Sequence, residues 1–114
     1  MNFAEAYATP DGATPRAARL CQDLREFFRR TGYTSSPGYR VFRTGEEHAL
    51  YGEYCTGAEL VLVYEGTDIA HMFSMDYAYP DYEPWEVMND FLEERGWYHE
   101  QGTSYYGGFY RMSD

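Results

Sequence analysis

Ten residues between positions 76 and 94 carry most of the chemistry this sequence offers. They are the acids Asp76, Asp81, Glu83, Glu86, Asp90, Glu93 and Glu94 and the tyrosines Tyr77, Tyr79 and Tyr82. No basic residue interrupts them before Arg95. Glu86 and Asp90 are four residues apart, a rise of about 6 Å on a helix. Successive phosphates of one nucleic-acid strand lie about 6–7 Å apart along the backbone. Carboxylates at that spacing imitate a short run of phosphates, which arginine forks lining a basic groove would grip. The neighbouring tyrosines offer faces on which partner arginines stack as they would on bases. These ten residues are the candidate partner-binding surface. A solvated acidic helix has the same spacing, so the coincidence with the tyrosines is what gives the pattern weight.

The other titratable side chains make weaker cases for chemistry. His71 alternates with Ile69, Phe73 and Met75, which predicts a satisfied core histidine. His48 follows Glu46 and Glu47 at an expected hairpin, and His99 falls in a short expected strand. None adjoins a nucleophile motif, and no two have the spacing of metal ligands. Cys21 and Cys55 lack a CxxC or Cys/His pattern and are expected to be free, buried thiols. Asp76, Asp81 and Glu83 match no calcium-loop pattern. No cofactor or metal is expected, and the chain is not expected to be an enzyme. A small enzyme with a carboxylate-based site is the competing class, because acid pairs are plentiful.

Charge is split along the chain. The formal net charge is −10 over 114 residues. Residues 1–44 hold seven arginines against four acids, and residues 45–114 hold fifteen acids against Arg95 and Arg111. Such a field repels nucleic acid and anionic membrane and draws in basic partners. The same split invites antiparallel self-association, so a homodimer is a further expectation. There is no lysine, one isoleucine and two asparagines, a bias against AT-rich codons. Tyrosine and phenylalanine codons are also AT-rich, yet thirteen tyrosines and seven phenylalanines are present. The aromatics are kept against the coding bias, and tyrosine is a residue of interfaces.

The elements that position these residues follow from periodicity. At this length one domain is expected, with residues 1–12 as a loose N-terminal arm. Thr14 and Pro15 read as the cap and first residue of an amphipathic helix over 15–30. Ala17, Leu20, Cys21, Leu24, Phe27 and Phe28 share its apolar face, and Gly32 ends it. Strands are expected at 39–44, 48–55, 58–65 and 69–76, with LVLVY (60–64) as a central one. A second helix is expected over 84–95, with Trp85, Val87, Met88, Phe91 and Leu92 facing the sheet. Strands at 97–101 and 105–112 follow, and Gly107–Gly108 implies a bulge or a close backbone approach. The order α-β-β-β-β-α-β-β gives an α+β fold with a single antiparallel sheet of five to six strands.

No signal peptide or membrane span is read from the sequence, so a cytoplasmic protein is expected. The compact, acidic, tyrosine-rich profile is similar to that of phage-borne anti-restriction and anti-CRISPR inhibitors, many of which imitate nucleic acid. The likeness is one of profile, with no shared motif. It implies an inhibitor that occupies the basic groove of a nucleic-acid-binding protein, a nuclease or effector complex, without touching nucleic acid itself. An immunity protein neutralising a nuclease toxin, and a virion or complex assembly protein, are the other roles that fit.

Overall fold

The computed structural model describes residues 1–112. Among these residues six helices and four strands follow the order α1 (Phe3–Ala6), α2 (Pro15–Thr31), β1 (Phe42–Arg43), α3 (Gly45–His48), β2 (Leu60–Val63), α4 (Ala70–Phe73), α5 (Met75–Ala78), α6 (Glu83–Glu94), β3 (Trp97–Gln101) and β4 (Tyr106–Arg111). The strands form one antiparallel sheet in the order β1-β2-β4-β3. The fold is α+β with a single antiparallel sheet, of four strands rather than five or six. Among the described residues no helix is long and apolar enough to cross a membrane.

The two long helices form where their local signals place them. The Thr14 hydroxyl accepts from the Ala17 amide at 3.2 Å, Pro15 fills the first helical position, and Gly32 closes α2 at φ 86°. A positive φ of this kind costs glycine little. Ala17, Leu20, Cys21, Leu24, Phe27 and Phe28 are all buried, so one face of α2 lies wholly in the core. In α6 the buried residues are Met88, Phe91 and Leu92. Trp85 is only half-buried and Val87 is 45% exposed, so the expected sheet-facing stripe is narrower than its hydrophobicity suggests. Helix α6 lies against α4 and β3, and its Val87 side is left uncovered beside α2.

Register explains the adjacent glycines. Leu60 and Leu62 pair with Phe109 and Gly107, and His99 pairs with Phe109, so these residues share the core face. Gly107 leaves the gap in that face where the His99 ring lies. A Cβ at Gly107 would stand 2.5 Å from His99 Cε1 and 2.8 Å from the Glu100 carbonyl oxygen. On the opposite face, a Cβ at Gly108 would meet Ala58 Cβ at 2.7 Å and Cys55 Cβ at 3.1 Å. The glycines therefore mark close approach within an unbroken ladder, not a bulge. Strand β2 is paired on both sides, as its two-faced apolar sequence requires.

Three expectations are corrected. The segment 1–12 is not a loose arm. Asn2 caps α1 in a reciprocal capping box with Glu5, Val41 donates its amide to the Ala6 carbonyl at 2.8 Å, and Tyr7 is fully buried against Phe28 and Phe42. The strand expected at 48–55 is replaced by α3 and a run of turns. Thr44 acts as an N-cap, accepting from the Glu47 amide at 3.1 Å. The strand expected at 69–76 is replaced by α4 and α5. Ile69, Ala70, Met72 and Phe73 are all buried. Their spacing of one, three and four is that of a helical face; an alternating strand would have put Ala70 and Met72 opposite Ile69 and Phe73. His71 consequently points outward and is exposed, with Nδ1 2.6 Å from the Tyr77 carbonyl oxygen.

Candidate functional site

Short helix α5 and the first turn of α6 present the acid-and-tyrosine surface. Asp76 lies in the first turn of α5, and Glu83 and Glu86 lie in the first turn of α6, where the helix dipole favours anions. Tyr82 supplies no side-chain cap. Instead Asp81 Oδ1 accepts from the Glu83 amide at 3.1 Å, which fixes the loop against the helix start. Asp76, Asp81, Glu83, Glu86, Asp90, Glu93 and Glu94 are all exposed. Among the described residues only Glu94 of this set meets an arginine within 4.0 Å, at 3.7 Å from Arg95 Nη1. Arg95 is otherwise committed inward: it donates to the Phe91 carbonyl at 3.1 Å, stacks over the Phe91 ring and lies 3.5 Å from Asp23.

The tyrosines divide. Tyr79 is 72% exposed and Tyr77 is 41% exposed, whereas Tyr82 is half-buried and touches Tyr79 edge-on at 6.4 Å between centroids. One of the three thus helps seat the loop, and two present their faces outward.

Beside this surface runs a depression that the amphipathic pattern did not reveal. Its main cleft, of about 370 Å³, is lined by Phe27, Met72, Pro84 and Val87 together with Tyr33, Asp81 and Glu83. A second hollow continues past Tyr33 to His71, Tyr77 and Tyr79, and a third continues past Val87 to Asp90 and Glu94. The cleft exists because Phe27 of α2 and Phe91 of α6 hold the two helices together at 4.7 Å between ring centroids while Val87 stands clear of the seam. Helical periodicity assigned Val87 to the sheet side. Its separation from Leu92 on the wheel was the signal that it flanks the stripe instead.

A second concentration of chemistry lies on the other side of the sheet. His48 is 2% exposed, packs on the Tyr106 ring at 4.3 Å, and finds no hydrogen-bond partner among the described residues for either ring nitrogen. Burial, with Arg43 nearby, lowers its pKa. Cys55 adopts a left-handed backbone at φ 62° and directs its thiol to the Glu100 carbonyl at 3.7 Å. Burial raises that thiol, so it is held as a weak donor and not as a thiolate nucleophile. Both cysteines are free; Cys21 is buried and Cys55 half-buried. His48 is thus buried beyond the sheet and His99 is half-buried on its core face, whereas His71, expected in the core, is exposed. Among the described residues no three His, Cys, Asp or Glu side chains converge as a metal site, and Asp76, Asp81 and Glu83 form no such group.

No family model matches this chain, and no curated protein or solved structure matches it either.

Proposed function

We propose that this chain is a binding protein whose acidic face enters the basic groove of a nucleic-acid-handling protein and inhibits it, in the manner of anti-CRISPR and anti-restriction inhibitors. One observation carries this reading. Seven exposed carboxylates lie along α5, the loop after it and α6, almost without internal counter-ions, beside two outward-facing tyrosines. A surface selected for stability alone would interleave charges, because like charges at (i, i+4) cost a few tenths of a kcal/mol each. Helix α2 does interleave them: Arg19 pairs with Asp23 at 3.1 Å. Acids left unpaired on α6 retain their charge for an incoming cationic surface.

The working residues are Asp76, Asp81, Glu83, Glu86, Asp90, Glu93 and Glu94, with Tyr77 and Tyr79 as stacking faces. Tyr82 supports the loop. Binding of this kind is electrostatically steered and falls steeply with ionic strength.

The test is capture of partners from cells on the immobilised chain at low salt, elution by a salt step, and competition of each eluted protein between this chain and duplex or single-stranded nucleic acid. Partners that release as salt rises from about 50 to 200 mM, and that bind the chain and nucleic acid exclusively of one another, support the reading. Partners held equally at both salts, or binding both at once, overturn it.

A further inference from the structure

We infer that the cleft between α2 and α6 is a socket for one arginine side chain of the partner. This rests on the reading above that a basic protein meets the acidic face, and it names the residue type by which that protein is gripped. The cleft is an open depression of about 370 Å³, at the small end of ligand-site volumes, enough for a single long side chain and too little for a helix or strand.

Its chemistry is divided as an arginine is divided. Val87, 45% exposed, and half-buried Pro84 offer aliphatic surface for the methylene stem above the buried Met72 and Phe27, and half-buried Tyr33 offers an aromatic face for a planar cation. Asp81 and Glu83, both exposed, also line the cleft and would meet the guanidinium head. Neither carboxylate makes an ion pair among the described residues, and Asp81 spends one oxygen on the Glu83 amide, leaving the other free.

The same seam already holds guanidinium groups on its aromatic rings. Arg30 Cζ lies 5.5 Å from the Phe27 centroid, and Arg95 Cζ lies 3.7 Å from that of Phe91. Lysine suits the cleft less well, because its compact ammonium is strongly hydrated and cannot stack or fork. A phosphate or an acidic peptide is repelled by Asp81 and Glu83.

The test uses the isotopically labelled full chain and three peptides: acetyl-Gly-Arg-Gly-amide, its lysine counterpart, and its citrulline counterpart, which keeps the shape without the charge. Saturable amide shifts centred on Phe27, Tyr33, Asp81, Glu83 and Val87 are expected with the arginine peptide. The lysine peptide should bind roughly fivefold more weakly, and the citrulline peptide should leave the spectrum unmoved.

Val87→Trp, at a position exposed enough to accept the larger ring, should fill the cleft and abolish the shifts. Asp81→Asn with Glu83→Gln, which keeps an acceptor for the loop, should weaken binding roughly fivefold or more. Shifts spread over all of α6, equal response to arginine and lysine, no response at saturating peptide, or shifts that survive both variants overturn the socket. The two ideas fail separately. Peptide binding without any salt-sensitive partner removes the proposed function and leaves the socket. Partner binding lost on Glu86→Arg with Asp90→Arg but untouched by Val87→Trp removes the socket and leaves the proposed function.

Discussion

The rings of Phe27 and Phe91 meet at 4.7 Å between centroids, and through this contact the arginine-bearing helix α2 is bound to the acid-bearing helix α6. Each ring also carries a guanidinium of its own helix, Arg30 on Phe27 and Arg95 on Phe91. The seam thus turns two arginines toward aromatic surface and leaves the acids of α6 facing solvent. It also sets the distance between helices that opens the cleft at Val87.

Phe91→Ala should cost about 3–5 kcal/mol, because it removes a buried ring and opens a cavity at the seam. Trp85→Ala should cost less, about 1–2 kcal/mol, since that side chain is only half-buried. Urea denaturation of both variants checks the order. A larger loss at Trp85 would mean that α6 is anchored by its first turn and not by Phe91.

Glu86→Arg with Asp90→Arg should leave stability within about 0.5–1 kcal/mol of the parent, because both residues are exposed and make no ion pair among the described residues. Affinity for a basic partner should fall roughly a hundredfold, the loss of two charge-assisted contacts. Calorimetric titration of the partner, with a thermal melt alongside, separates the two effects.

Stability should decline as the solution is acidified below about pH 6.5. Burial lowers the pKa of His99 from 6.5 to about 3 and also depresses His48. Unfolded, both take up a proton near their ordinary value. Below that value the unfolded state binds more protons, so the native state's advantage is complete above pH 6.5 and shrinks as pH falls toward 3. Each such histidine contributes at most about 1.4 kcal/mol per pH unit. Glu59, held below the usual carboxylate range by Arg16 at 2.7 Å, adds a loss of the same sign at lower pH. Urea midpoints measured from pH 8 to pH 4 should show this slope, and His99→Gln should flatten it.

Gly107→Ala should destabilise by about 1–3 kcal/mol through overpacking against the His99 ring. Combining it with His99→Ala should cost less than the two single changes added together, although the Glu100 carbonyl remains close. Additive losses in a double-mutant cycle would show that the ring is not the obstacle.

Tyr7→Phe should be neutral or stabilising by up to about 1 kcal/mol, because the buried hydroxyl has no hydrogen-bond partner among the described residues. Tyr7→Ala should cost about 3–5 kcal/mol. Equal melts for the alanine variant and the parent would return residues 1–12 to the status of a loose arm.

Short-range physics alone was enough to determine α2, α6, the paired strand around Leu60–Val63, and the division of charge between the two parts of the chain. A proline at a helix start, a glycine at its end and a 3.6-residue apolar period act within a few residues, and charge needs no fold to be counted. The acid series on α6 was legible for the same reason.

Tertiary packing decided the rest. The apolar run at residues 69–73 is too short for periodicity to separate helix from strand, and packing of Phe73 against Phe28 and Phe109 accompanies the helical choice that turned His71 outward. Tyr7 is held by Phe28 and Phe42, partners 21 and 35 positions away, which local pattern cannot foresee. The cleft belongs to no single segment. It forms where Phe27, Met72 and Val87 are brought together from three helices, and an apolar residue reads alike in sequence whether it closes a core or lines an opening.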